Sequence, residues 1–68
     1  MSYKRKKVVK ALNHFGFFFS HEGANHTAFI SGSSIIYIPR HKELARGLVR
    51  ALVKHAGLDW QAVKKFLT

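Results

Sequence analysis

The sequence predicts an α+β domain of order α-β-β-β-α with a short C-terminal helix, its three-stranded antiparallel sheet carrying two helices on one face. Two stretches, Lys4 to Phe15 and Glu43 to His55, place apolar residues at helical spacing. Between them lie three short runs rich in β-branched and aromatic residues, separated by gaps of hairpin length and turn composition. With 68 residues and no internal repeat or linker, residues 1–68 are expected to form one domain. A chain this short hides only about 60% of the surface its unfolded form exposes, so all the elements must share one core.

In the first helix Val8, Leu12 and Phe15 recur on one side with Val9 and Ala11 beside them, and Gly16 stands where a left-handed cap would end it. Lys4, Arg5, Lys6, Lys7 and Lys10 line the outer side. Basic residues in the first turns oppose the helix dipole, so fraying is expected at this end. Phe17 to Glu22, between Gly16 and Gly23, reads as the first strand. Because side chains alternate, Phe17 and Phe19 face opposite to Phe18, and most of these rings are assigned to packing, with one left for a possible base contact.

The turn Gly23-Ala24-Asn25 leads into a second strand, His26 to Ser31, and Gly32-Ser33-Ser34 into a third, Ile35 to Pro39. Ile35-Ile36-Tyr37-Ile38 is apolar on both faces, which implies a partner surface on the side away from the helices. The second long helix, from Glu43, carries Leu44, Leu48, Ala51, Leu52 and Ala56 at helical spacing and stops at Gly57. Asp59 then caps a short helix through Phe66, with Leu58 and Val63 at staple positions.

Composition narrows the chemistry. Twelve Lys+Arg against three Asp+Glu give a formal charge of +9, which leaves little room for carboxylate pairs or Asp-oriented triads. Such a potential attracts polyanions, nucleic acid first and an acidic protein second. Cysteine is absent, so there is neither a disulfide framework nor a thiolate nucleophile, and a reducing cytoplasm is the expected location. The basic start is too short and too interrupted for a signal sequence or a membrane span.

Any chemistry therefore falls to histidine. His14, His21, His26, His41 and His55 show no tight ligand spacing, so no metal site and no cofactor are expected. His14 and His55 lie near helix C-termini, where an imidazolium complements the dipole. His26 follows a glycine-containing turn at the start of the central strand, where a side chain can be held firmly yet remain open; from the residues alone it is either structural or catalytic. Arg40, His41 and Lys42, just before the second helix, form either a phosphate site with the helix amides or a solvated turn. The basic faces, Lys4, Arg5, Lys6, Lys7 and Lys10 with Arg46, Arg50 and Lys54, read as a polyanion surface more readily than as a dispersing charge.

Four segments carry a family resemblance across nearly the whole chain: Phe15-Gly16-Phe17; Glu22-Gly23-Ala24-Asn25-His26-Thr27; Ile38-Pro39-Arg40-His41-Lys42-Glu43-Leu44; and Gly47 through Leu58. The chain resembles the HicA-type (YcfA-like) toxins, small mRNA interferases of bacterial toxin-antitoxin pairs. That resemblance implies a fold like a double-stranded-RNA-binding domain, RNA cleavage without a metal, a HicB-type antitoxin as partner and His26 as the catalytic histidine. Many members read Gly-Ser-His where this chain has Gly23-Ala24-Asn25-His26, one residue longer and without the serine. An imidazole with a pKa of about 6.5 is mostly neutral at pH 7 and can take a proton, which suits a general base acting on a ribose 2′-hydroxyl. Lys6, Lys7, Lys10, Arg40, His41, Lys42, Arg46 and Arg50 are the expected RNA contacts. A non-catalytic RNA-binding module, or a basic subunit that docks an acidic partner, accounts for the same charge.

Overall fold

The computed structural model describes residues Met1–Thr68. Its elements run β1 (Ser2–Lys4), α1 (Arg5–His14), β2 (Phe18–Glu22), β3 (His26–Ser31), β4 (Ser34–Pro39), β5 (Glu43–Ala45), α2 (Arg46–His55) and α3 (Trp60–Leu67). The fold is α+β as expected, with β2, β3 and β4 forming a three-stranded antiparallel sheet in sequence order.

Both long helices end as their glycines dictate. Gly16 (φ +90°) and Gly57 (φ +74°) take the left-handed conformation, and the next N–H turns back to a carbonyl of the last turn, Phe17 to Leu12 at 2.9 Å and Leu58 to Val53 at 3.1 Å. The Asp59 carboxylate accepts from Ala62 N–H at 3.1 Å and so opens α3. The hairpin between β3 and β4 is tighter than expected: Ser31 pairs with Ser34, and Gly32 (φ +57°) sits at the first central position of a two-residue turn.

Register separates the two faces of the sheet. Phe29, Ile36 and Ile38 face the helices and join Val8, Ala11, Leu12, Val49, Val53, Val63 and Leu67 in one core cluster. Phe17 enters that cluster from just before β2, whereas Phe18 and Phe19 remain more than half exposed, so one of the three rings is core and not most of them: no element covers the other two on this edge strand. On the outer face Phe18, Ile30 and Ile35 stand in one row, with Tyr37 beside Ala28 in the next. This apolar row answers the expectation from Ile35-Ile36-Tyr37-Ile38: alternate residues are core, and the others lie on a face that no helix covers.

The structure corrects two further sequence expectations. The chain leading into α1 is not a free end: Ser2–Lys4 pairs with Glu43–Ala45 as a second, two-stranded sheet, closed by Ser2 Oγ donating to Glu43 Oε1 at 2.6 Å. For the same reason the second long helix starts at Arg46 instead of Glu43. Leu44 is therefore a buried strand residue, and the helix buries Val49 and Val53 while Leu48 and Ala51 are left exposed. Once the first turn of the expected helix is spent on strand pairing, the valine stripe is the one that meets the sheet.

Candidate active site

His26 opens β3 opposite Pro39, and alternation puts its exposed side chain on the outer face with Ala28 and Ile30. The turn that delivers it is closed by Gly23 N–H donating to His26 O at 2.7 Å. Glycine is favoured at position 23 by this approach, since a Cβ there would lie 3.2 Å from that oxygen.

Arg40 holds the turn from the other side. Its Nη1 donates to Gly23 O at 2.8 Å, to His26 O at 3.1 Å and to Glu22 Oε1 at 3.0 Å, and its Nη2 donates to Ala24 O. A planar fork with several fixed donors suits this cluster of carbonyls in a way that an ammonium does not. Arg40 was expected as an RNA contact; here its guanidinium is occupied with the backbone that carries His26.

Behind the turn the network continues to α1. Thr27 is the one buried polar residue, and its hydroxyl donates to Glu22 Oε1 at 2.7 Å while accepting from Arg5 Nη2 at 2.7 Å. Arg5 Nε also donates to Pro39 O at 3.0 Å, which ties the first turn of α1 to the end of β4. The Thr27 hydroxyl is the main influence holding the Glu22 carboxyl below its ordinary value of 4.5; partial desolvation opposes it, and the Arg40 and Arg5 charges assist. Glu22 therefore stays ionised, accepting directly from Arg40 and joined to Arg5 through the Thr27 hydroxyl.

The β1–β5 pairing brings the start of α1 beside the segment after β4. Lys4, Arg5, Lys6, Arg40, His41 and Lys42 line one cleft with Glu22 and Glu43. Five fixed cations thus face two carboxylates, each already accepting from a neighbouring side chain. At the start of α1 no side chain caps the helix, and the Arg5 N–H donates instead to Lys42 O at 2.8 Å, which ties this end of the helix to the segment after β4. The helix-start amides expected behind Arg40, His41 and Lys42 are not there, because β5 intervenes before α2.

Lys6, Arg40, His41 and Lys42 are accordingly brought together, while Lys7 and Lys10 are exposed further along α1. On α2, Arg50 lies 5.7 Å from the centre of the Trp60 ring, and half-buried Arg46 points Nη1 at Met1 Sδ, 3.8 Å away. His14 packs against Phe66 with ring centroids 4.3 Å apart, and it and His55 both sit in last helical turns. Sequence reasoning missed the Arg5–Thr27–Glu22–Arg40 network. Its one local signal was an acid, Glu22, in a stretch with no other acid between Met1 and Lys42.

Residues 5–58 match the family model of the HicA toxin of bacterial toxin-antitoxin systems. The chain belongs to the HicA toxin family. No curated protein matches it. The matched span runs from Arg5 through the whole network and His26 to Leu58, so it contains α1, the sheet, β5 and α2. HicA toxins act within toxin-antitoxin systems and are generally ribonucleases. No helix of this HicA-family chain is long and apolar enough to cross a membrane.

Proposed function

We propose that this HicA-family toxin is a metal-independent endoribonuclease in which His26 is the general base. One observation carries the reading: in a chain of the HicA family, the histidine at the turn is exposed while the backbone presenting it is held by Arg40. His26 takes the proton of a ribose 2′-hydroxyl, the 2′-oxygen attacks the adjacent phosphorus, and the 5′-oxygen leaves. The products are a 2′,3′-cyclic phosphate and a 5′-hydroxyl end. A positioned base supplies about 10²–10⁴-fold, and in-line placement of the phosphate by nearby cations supplies a further share.

The cationic cleft of Lys6, His41 and Lys42 lies at the same end of the sheet as His26 and is suited to the backbone of an RNA strand. Lys7, Lys10, Arg46 and Arg50 extend the positive surface along both helices. A HicB-type antitoxin is the proposed protein partner, and the outer sheet face around Phe18, Ile30, Ile35 and Tyr37 offers it exposed apolar area beside His26. The site of action is the cytoplasm, where mRNA is found.

Digestion of end-labelled RNA in EDTA by the wild type and by His26→Ala tests the reading. The wild type should cut and leave cyclic phosphate ends, and the variant should bind RNA without cutting. If the wild type binds RNA and leaves it intact, the chain is an RNA-binding module; if the variant cuts at the wild-type rate, another group is the base.

A further inference from the structure

The outer sheet face holds a second histidine that an irregularity in β2 has placed there. Phe18 pairs with Ile30 and Phe19 with Phe29, after which the register shifts so that His21 pairs with Ala28 and Glu22 with Thr27. In an unbroken ladder Ser20 would oppose Ala28, and His21 would oppose Thr27 and point toward the helices. The bulge at Ser20 turns His21 outward instead, and bulges commonly re-aim side chains beside active sites. His26 stands on the same face, two residues before Ala28 in β3, so His21 and His26 are diagonal neighbours across the hairpin. Residues so placed are about 7–8 Å apart, with their Cβ atoms somewhat closer.

Ala28 lies between them, buried, with a methyl group too small to fill the space between two imidazole rings. Tyr37 flanks Ala28 from β4 on the far side. Of the residues in β2, β3 and β4, the titratable ones on this face are His21, His26 and Tyr37, with His41 in the cleft just past β4; Glu22 is engaged by Thr27 and Arg40 behind the face, and the other acids lie on β5 and before α3. Ser20 Oγ lies 3.0 Å from His21 Nδ1, which steadies the ring; in an imidazolium that nitrogen donates to Ser20, and Nε2–H is left for a substrate.

Resting on the ribonuclease reading above, we propose that His21 is the general acid of the same reaction. In-line displacement puts the attacking 2′-oxygen and the departing 5′-oxygen on opposite sides of phosphorus, so acid and base must flank the phosphate several ångströms apart. As the 2′-oxygen loses its proton to His26 and bonds to phosphorus, the bond from phosphorus to the 5′-oxygen breaks and that oxygen takes the Nε2 proton of His21. The pair ends with His26 protonated and His21 neutral, and water exchanges the two protons before the next turnover. An imidazolium fills this role at neutral pH better than Tyr37, because a phenol is a far weaker acid.

The test compares ordinary RNA with RNA whose scissile 5′-oxygen is replaced by sulfur, a leaving group that departs without protonation. His21→Ala should lower cleavage of ordinary RNA by about 10²–10⁴-fold while leaving RNA binding unchanged, and should cut the sulfur substrate close to the wild-type rate. His26→Ala should fail on both. A defect in His21→Ala that persists with sulfur, or no defect at all, overturns the acid assignment. Failure of the wild type on both substrates removes the ribonuclease reading and this inference with it. Wild-type activity in His26→Ala removes only the base assignment, and the sulfur comparison still decides His21.

Discussion

The guanidinium of Arg40 donates to the backbone carbonyl of His26 at 3.1 Å, across 14 residues of chain, and the same nitrogen reaches Gly23 O and Glu22 Oε1. A conspicuous cation beside the proposed site thus acts first on the turn that carries the histidine. Arg40→Lys keeps the charge and loses the fork. Misplacement of a catalytic group by about 1 Å can cost 10²-fold, so kcat should fall about 10–100-fold with KM little changed. Steady-state kinetics on a short RNA separate this from a phosphate contact, which would raise KM and tolerate lysine.

Replacing His26 itself should leave the fold intact, because the side chain is exposed and no other group in the core depends on it. Cleavage and growth inhibition should fall by about 10²–10⁴-fold in His26→Ala, with an unchanged circular dichroism spectrum. Cleavage in vitro and colony counts after induction measure the two effects.

Thr27→Val removes the hydroxyl that joins Arg5 to Glu22 and leaves an arginine donor and a carboxylate lone pair without it. Because exposed Glu22 and half-buried Arg5 can turn to water, the loss is that of a net hydrogen bond, about 0.5–1.5 kcal/mol. In a domain of 60–100 residues, each kcal/mol lowers Tm by about 4–8 °C, which thermal unfolding would show directly.

Acid should loosen the turn before it unfolds the domain. The Thr27 hydroxyl, with help from Arg40 and Arg5, lowers the Glu22 pKa in the folded chain, so ionised Glu22 favours the folded arrangement. That contribution is fully present above the unfolded value and is lost as pH falls through the lower, folded value. Amide shifts of Gly23 and His26 should therefore move below the ordinary carboxylate range, and Glu22→Gln should remove that titration.

Binding should weaken steeply with salt. On single-stranded RNA the slope of log K against log salt is about −0.7 per phosphate contacted. Lys6→Ala and Lys42→Ala, in the shared cleft, should each reduce the magnitude of that slope by about one contact, as a fluorescence titration at several salt concentrations would show.

The local features of this chain were legible in its sequence because their causes lie within a few residues. The Gly16 and Gly57 stops, the Asp59 cap, the two hairpins and the order of the main elements all follow from neighbouring side chains and backbone preference, whereas which ring of Phe17, Phe18 and Phe19 is buried did not. The family resemblance was legible for the same reason, in contiguous blocks around Gly23 and Pro39. The phase of α2 was misread because Leu44 continues a helical pattern until a strand from the far end of the chain claims it.

An α-β-β-β-α meander, a strongly basic surface and an open histidine at the second strand's entrance can all be read from the order of residues. The packed fold alone reveals that Ser2–Lys4 closes against Glu43–Ala45, that Arg5 and Arg40 turn inward to Thr27, Glu22 and the turn carbonyls, and that a bulge sets His21 on the face of His26. Strand partners and guanidinium acceptors lie tens of residues away, and one extra residue in a ladder reverses which face a side chain occupies. Pairing across that distance is set by the packed whole, so no local pattern announces it.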